Sequence, residues 1–199
     1  MSDEILDDFR DVSGWSAVAS GQAQLGLGRD TGPNGSALRL DYDFRGGGGF
    51  VVARKLFARR MPASWAIELH IRGEAPANRL EIKLADSTGR NVWWWHRDVF
   101  EFPHSWERLR IRSSEVSFAW GPAGGGALRE LGAIEIAIVA GPGGTGSASV
   151  ARLAPSQPRC RRTRTRGRSR ARSTPSRPTH CASSLRATCR PRAPPRDRV

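Results

Sequence analysis

Residues 36–44, with the sequence Ser-Ala-Leu-Arg-Leu-Asp-Tyr-Asp-Phe, decide the fold class of this chain. Apolar side chains occupy every second position, at Leu38, Leu40, Tyr42 and Phe44, and polar side chains lie between them. Successive side chains of a β-strand point to opposite faces. The spacing therefore predicts a strand with one buried face and one face in water.

The same alternation recurs along the first 150 residues, and no long helical pattern follows any of these segments. Glycine-rich turn signals separate the alternating segments. The pattern predicts an all-β fold, an antiparallel β-sandwich of about eight to ten strands with jelly-roll wiring, with one short helical turn near residues 128–131. The further alternating segments are residues 65–72, 79–84, 106–112 and 133–138, and the turn signals are residues 32–35, 46–49, 86–89 and 141–144.

Composition divides the chain into two unlike parts, which we assign as a domain at residues 1–153 and a tail at residues 154–199. The chain has 199 residues and a net charge of +13. Fourteen arginines and a single acidic residue lie from Arg159 onward, whereas residues 1–158 hold eighteen basic and eighteen acidic side chains. All tryptophans, phenylalanines and the tyrosine lie in the first part, so only that part can bury a sizeable core.

The Arg-rich tail has a composition typical of disorder, since it lacks the apolar material that would offset its chain entropy. This tail is rich in arginine, proline, serine and cysteine and has no lysine. That composition favours the interpretation that the tail is GC-rich DNA translated out of frame. A functional basic tail and a natural linker remain open alternatives. In each case we expect nonspecific binding of polyanions, because guanidinium groups attract phosphate.

The sequence gives no positive indication of an enzyme. His70, His96 and His104 lack the spacing of a zinc site and have no nearby cysteine partner. The glycine run at residues 46–49 lacks the lysine and the strand-to-helix context of a phosphate-binding loop. Glu68 and Glu81 alternate with apolar residues, and although they could meet across neighbouring strands, two solvated side chains are the simpler interpretation.

The segment Asn91-Val-Trp-Trp-Trp-His-Arg97 points to sugar binding, because indole rings stack on the C–H faces of pyranoses. On a strand, Trp94 would share a face with His96, while Trp93 and Trp95 would point the other way. Either Trp94 or the other pair fills the core, and at least one tryptophan is expected at the surface. The sequence leaves open which.

Polar residues beside these tryptophans would orient sugar hydroxyls, and as a set they are expected to line the outer or the concave face of one sheet. Trp15, Trp65 and Trp106 are expected in the core, and Trp120 is left open. The candidate ligand-binding residues are Trp93, Trp94, Trp95, Arg54, Glu68, His70, Glu81, Lys83 and Arg97, with Arg72 beside them.

Several segments together resemble galactose-binding-like jelly rolls, as found at the N-terminus of bacterial discoidin or carbohydrate-binding proteins linked to glycoside-hydrolase-like regions. The likeness covers roughly residues 5–150 and is most specific over residues 100–126. It implies a non-catalytic module cut from a longer glycan-processing protein. The segments are Leu6-Asp-Asp-Phe9, Ser13-Gly-Trp15, Phe100-Glu-Phe-Pro103, Phe118-Ala-Trp-Gly-Pro-Ala-Gly-Gly-Gly126 and Ile134-Glu-Ile-Ala-Ile138.

The sequence departs from the resemblance at the last strand. Such domains finish with an aromatic-containing strand that runs into paired aspartates, which often help to hold a structural calcium. Residues 146–153, Gly-Ser-Ala-Ser-Val-Ala-Arg-Leu, have neither feature. We therefore assign no certain cofactor, and a structural calcium stays an open alternative. We expect the sheet to lack its native last strand and to present an unpaired edge, for which residues 146–153 are a partial substitute through Val150 and Leu153.

The sequence thus supports a carbohydrate-binding module as the first functional hypothesis. The alternatives are a structural or protein-interaction sandwich and a nucleic-acid binder that acts through the Arg-rich tail. No signal peptide and no apolar run long enough to span a membrane are visible, which predicts a cytoplasmic protein without membrane association. We also expect a monomer.

Overall fold

The computed structural model describes residues 5–156, which form eleven β-strands and a 3-10 turn at Ser113–Glu115. The all-β class predicted from the alternation is confirmed. The Arg-rich tail, from residue 157 onward, lies outside the described residues. The strands are β1 Trp15–Ala19, β2 Gln24–Gly32, β3 Gly35–Asp43, β4 Phe50–Arg60, β5 Ala66–Glu74, β6 Asn78–Asp86, β7 Val92–Phe100, β8 Glu107–Arg112, β9 Ser117–Trp120, β10 Glu130–Val139 and β11 Thr145–Ser156.

The strands form two antiparallel sheets that face each other. The larger sheet has six strands in the order β1-β4-β10-β6-β7-β9, and the smaller has five in the order β2-β3-β11-β5-β8. The chain changes sheet repeatedly, so most neighbours in a sheet are distant in sequence, as in a jelly roll. The predicted sandwich is confirmed. Among the described residues, no helix is long and apolar enough to cross a membrane.

The core lies between the two sheets and is built from the alternating apolar positions. Leu38 and Leu40 on β3, and Phe44 directly after its end, are fully buried, which is what the period of two predicts. On β10 and β6, Ile136 and Ile82 face each other across the ladder and are equally buried. Burial of these side chains is the main term that stabilises the fold.

The last strand is present and central, which corrects the expectation of an unpaired edge. In β11, Ala148 pairs with Leu40 of β3 on one side and with Gly73 of β5 on the other. Small and aliphatic side chains suffice here, since backbone hydrogen bonds hold the strand on both sides. β11 also continues to Ser156, three residues beyond the boundary predicted from the sequence.

The short helical turn expected near residues 128–131 is not formed, because Glu130 already begins β10. The ladders of β10 shift register between Leu131 and Ala133, on both sides of the strand. At this bulge a Cβ atom added to Gly132 would clash with the backbone of Asp86 and Ser87. A side chain has no space at this position.

A hydrogen-bond network ties the edge strand β2 to the centre of the smaller sheet. Asp30 on β2 accepts hydrogen bonds from Arg72 Nη2 on β5 at 2.8 Å and from Ser149 Oγ on β11 at 2.7 Å. Burial acts to raise the pKa of Asp30, but the hydrogen bonds from Arg72, Ser149 and the Thr31 amide outweigh it and lower the pKa to about 2. The ionised carboxylate therefore stabilises the folded state.

Replacement of Gly132 by alanine should destabilise the domain, because the new methyl group would meet the Asp86 carbonyl and force β6 and β10 apart. We expect a loss of about 1–3 kcal/mol in the free energy of unfolding, measured by denaturant titration. Gly28→Ala is the matched control, since a methyl group there meets no atom within 4 Å. Equal stability of the two variants would contradict the close approach at the bulge.

Asp30→Asn should lower stability at neutral pH and matter less in acid. The folded pKa of about 2 lies below the ordinary value of 3.8, so the contribution is complete above pH 4 and is lost as the pH falls toward 2. The gap between wild type and variant should reach about 2 kcal/mol at pH 7 and shrink below pH 4. Asp41→Asn, which breaks a more exposed ion pair with Arg39, should cost less than about 1 kcal/mol. A pH-independent gap would refute the assignment.

Candidate ligand-binding face

The three consecutive tryptophans of β7 divide between the two faces of the larger sheet. Trp93 and Trp95 pair with Leu84 and Ile82 of β6 and are buried in the core. Trp94 pairs with Lys83 and lies on the outer face, half-buried. The alternation predicted this split, and the structure shows which of the two sets fills the core.

Trp120 joins Trp94 on the outer face because β9 pairs with β7. Trp120 lies opposite Val92, while Phe118 turns inward and packs edge-on against Trp93 at a centroid distance of 5.3 Å. The next residue, Gly121, has a φ of +133° and lies against the backbone of Asn91. A glycine is required at this point, so the turn fixes the end of β9 and with it the position of Trp120.

Two exposed aromatic rings flank a lysine on the outer face of the larger sheet. Trp120 is 49% exposed and Phe50, at the start of β4, is 38% exposed. The Lys83 ammonium lies 5.7 Å from the Trp120 ring and 5.8 Å from the Phe50 ring. We call the surface formed by Phe50, Lys83, Trp94 and Trp120 the aromatic face.

A buried carboxylate holds the cations of the aromatic face in place. Glu81 is only 4% exposed although it lies on the outer side of β6. It forms ion pairs with Lys83, whose Nζ lies 3.0 Å away, and with Arg79, whose Nε lies 2.7 Å away. With both partners in place, the carboxylate is neutralised, and the Lys83 ammonium is fixed between the two exposed rings.

Trp94 is enclosed by side chains of this chain. The Arg79 guanidinium lies 5.0 Å from its ring centroid, His96 packs at 4.7 Å, and Trp120 meets it edge-on at 6.1 Å. Arg79 and His96 both contact Asp98, at 3.4 and 3.3 Å. Trp94 therefore supports Trp120 from the side, and Trp120 offers the more open ring.

Further along the same face, Arg54 on β4 forms an ion pair with Glu135 on β10 at 3.0 Å. Three cationic side chains of this face therefore have a carboxylate partner: Arg54 pairs with Glu135, and Arg79 and Lys83 pair with Glu81. The face offers donors and acceptors side by side and has little net charge. Such an arrangement suits hydroxyl groups, which both donate and accept.

The structure divides the residues predicted as a single ligand-binding set. Trp94, Arg54, Glu81 and Lys83 lie together on the outer face of the larger sheet. Trp93 and Trp95 are core residues. Arg97 lies over the Trp95 ring at 5.3 Å and, by the alternation of β7, does not share the face of Trp94.

Glu68, His70 and Arg72 lie on the opposite side of the sandwich, on β5 of the smaller sheet. The expectation that one face of one sheet carries all candidates is thus wrong, because β5 and β6 are consecutive in sequence but belong to different sheets. Glu68 pairs instead with Arg110 of β8 at 3.3 Å. Burial, followed by the charges of Arg152 and Arg108, lowers the pKa of His70.

Trp106 also differs from its expected core position. It is half-buried and lies under the guanidinium of Arg72, with 4.9 Å between the guanidinium carbon and the ring centroid. On the same outer side, a shallow groove of about 470 Å³ is lined by polar side chains such as Gln24, Arg39 and Glu74. The smaller sheet thus carries ion pairs and a covered indole, in contrast with the aromatic face.

Sequence reasoning missed several residues of the aromatic face. Arg79 continues the alternation of Glu81 and Lys83, so its place on the outer face was available from the pattern. Glu135 alternates with Ile134 and Ile136, so its outward direction was available from the pattern as well. Phe50 carried no such signal, because its position depends on which strands become neighbours. Within residues 5–156, no three acidic, histidine or cysteine side chains gather in a way that would hold a metal ion.

No protein-family model matches the sequence, and no curated protein matches it. Solved structures do match. The family 11 carbohydrate-binding module of the cellulosomal cellulase Lic26A-Cel5E of Clostridium thermocellum superposes with a TM-score of 0.63 at 18% identity, over 79% of this chain and 95% of that module.

A family 11 module from the same organism, in complex with a β-1,3-1,4-mixed-linked tetrasaccharide, gives a TM-score of 0.63 at 17% identity over 76% of this chain and 93% of that one. A structure of promiscuous carbohydrate-binding modules of the β-sandwich superfamily gives 0.53 at 11% identity, over 78% and 62% of the two chains. At these identities the likeness shows the fold. The chain has the β-sandwich of carbohydrate-binding modules, as the sequence resemblance predicted.

Proposed function

We propose that this domain is a non-catalytic carbohydrate-binding module and that a glycan binds to the aromatic face. The observation that carries the proposal is the pair of exposed rings, Phe50 and Trp120, with the Lys83 ammonium fixed between them. A group of exposed aromatic rings with polar side chains among them is typical of a ligand-binding surface.

Stacking supplies the affinity in this arrangement. The C–H face of a pyranose that covers about 100 Å² of an indole ring would contribute roughly 2–3 kcal/mol before the cost of ordering the ligand. Trp120 offers such a surface because Trp94 supports it edge-on and leaves its ring half exposed. Phe50 provides a second, smaller surface on the other side of Lys83.

Polar contacts supply the orientation. The Lys83 ammonium forms an ion pair with Glu81, and its N–H groups supply hydrogen-bond donors beside the two rings. The Arg54–Glu135 pair, farther along the face, offers a planar donor beside a carboxylate acceptor. Since these charges are already paired within the chain, an uncharged ligand does not leave any of them uncompensated.

The fold comparison supports the same function. The sandwich resembles a module whose structure contains a bound tetrasaccharide. In a longer glycan-processing protein, such a module would hold a polysaccharide close to a catalytic domain and raise the effective substrate concentration. We propose this role for the intact parent protein of the domain.

Trp120→Ala should abolish or strongly weaken glycan binding while leaving the fold intact, because the ring lies outside the core. A glycan array on the full chain would identify a ligand, and calorimetry would then compare affinities, with an expected loss of at least tenfold. Trp106→Ala, which removes the indole under Arg72 on the other side of the sandwich, is the matched control and should retain wild-type affinity.

Two outcomes would contradict the proposal. Unchanged affinity in Trp120→Ala would place the ligand on another surface. The absence of binding to every glycan by the folded protein would leave the rival hypothesis, in which the aromatic face docks onto another protein domain.

A second activity is favoured by the charge distribution. Fourteen of the 32 basic residues lie from Arg159 onward, with Asp197 as the sole acidic residue there. We propose that this segment binds polyanions such as nucleic acid, through phosphate contacts that weaken as salt increases.

Deletion of residues 157–199 should remove this binding without affecting the sandwich, since Pro155 and Ser156 still pair with Ile67 and Ala66 of β5. The remaining chain has eighteen basic and eighteen acidic residues, so we expect at least a hundredfold loss of affinity for DNA at low salt, measured by fluorescence anisotropy. An equal midpoint of thermal unfolding is the control for folding. DNA affinity that survives the deletion would contradict the assignment.

A further inference from the structure

A buried carboxylate lies where the N-terminal segment meets the end of the last strand. The side chain of Asp7 is 4% exposed. Its backbone forms an isolated bridge with Leu153 of β11: the Asp7 amide donates to the Leu153 carbonyl at 3.0 Å, and the Leu153 amide donates to the Asp7 carbonyl at 2.9 Å. Asp7 thereby closes the sandwich at this end.

Both oxygens of the Asp7 carboxylate are engaged by donors of the chain itself. Oδ1 accepts the Phe9 amide at 2.8 Å, and Oδ2 accepts Trp15 Nε1 at 2.8 Å. Lys55 Nζ also lies 2.8 Å from Oδ2. The rings of Phe9 and Trp15 stack at 5.6 Å and shield the group from water.

Lys55 reaches this carboxylate from the larger sheet. It lies on β4 opposite Trp15 of β1 and Ile134 of β10, at a position that faces the core side. Its stem packs over Gly14, where an added methyl group would come within 3.2 Å of the Lys55 Cε. The ammonium is therefore directed to Asp7 by packing as well as by charge.

A buried carboxylate requires a compensating cation, because the desolvation of an unpaired charge costs several kcal/mol. The sequence resemblance implies a structural calcium near the end of the last strand. The residues present do not fit one: Asp7 is the acidic side chain at this position, its oxygens are already used, and the Lys55 ammonium would repel a divalent ion. Calcium needs six to eight oxygen ligands.

We propose that Lys55 takes the part of a structural cation in this domain, so that its folding is independent of calcium. The Lys55 ammonium neutralises Asp7 and joins three parts of the molecule: the N-terminal segment, the larger sheet and, through Leu153, the last strand of the smaller sheet. An ion pair within the chain replaces an ion from solution.

The wild-type protein provides the first test. The midpoint of thermal unfolding of the full chain should be the same, within one or two degrees, in excess EDTA and in millimolar calcium chloride. A midpoint that rises with calcium and falls again with EDTA would overturn the proposal, since a ligand of the folded state raises the midpoint by mass action.

Charge removal provides the second test. Lys55→Met keeps the stem and removes the ammonium, and the midpoint should fall by several degrees because Asp7 is left uncompensated. Arg54→Met is the matched control: it removes the neighbouring cation, on the outer face of the same strand, and should shift the midpoint less.

The double variant Asp7→Asn/Lys55→Met separates loss of charge balance from loss of packing. It removes both charges and keeps similar shapes, so its midpoint should recover part of the loss seen in Lys55→Met. A Lys55→Met protein as stable as wild type, or a double variant less stable than Lys55→Met, would refute the assignment. If Lys55→Met does not fold, the wild-type calcium titration and the double variant still decide the question.

Discussion

The two-residue period of the β-strand is the constraint on which the structure depends. Each strand has two faces, and in a sandwich only one of them is covered by the opposite sheet. A strand with apolar residues at consecutive positions must therefore place some of them outside the core. β7 has three tryptophans in succession, so the burial of Trp93 and Trp95 puts Trp94 on the outer face. The candidate site follows from this geometry.

The outer face of the larger sheet has to cover Trp94 without a second sheet, and it does so with charged side chains that are paired. Arg79 stacks over the ring and is held by Glu81, which also holds Lys83. A carboxylate as buried as Glu81 contributes little net stability, because its desolvation offsets the attraction of its partners. Glu81 instead has a positioning role, because it holds Arg79 and Lys83 beside the aromatic rings of this face.

The sequence was sufficient for the fold class and for the outward direction of several residues of the candidate site, because both depend on local periodicity. Alternation placed Lys83, Glu81 and Arg54 on outward faces, and it separated Trp94 from its neighbours. It did not reveal that β5 and β6 enter different sheets, so Glu68 and His70 were wrongly grouped with Glu81. Strand neighbours in a jelly roll are distant in sequence, and no local pattern encodes them.

The same limit explains the misjudged last strand. Residues 146–153 lack an aromatic side chain, yet β11 occupies the centre of the smaller sheet. A central strand is stabilised by backbone hydrogen bonds to both neighbours, and Ala148 and Val150 are large enough to fill the space that faces the core. The end of the strand also does not need the missing pair of aspartates for its stability, because Asp7 and Lys55 form an ion pair there.

Both outer faces contain an arginine stacked on an indole, yet the two faces differ in what they leave open. On the smaller sheet, Arg72 covers Trp106 and is itself held by Asp30, so the indole is closed by a network that spans three strands. On the larger sheet, Arg79 covers Trp94 in a similar way, but Trp120 stands beside them with half of its surface in water. An indole that the chain itself covers is structural, whereas an indole that the chain holds open is available to a ligand. The exposure of Trp120, rather than the number of tryptophans in the sequence, distinguishes the larger sheet as the candidate ligand-binding face.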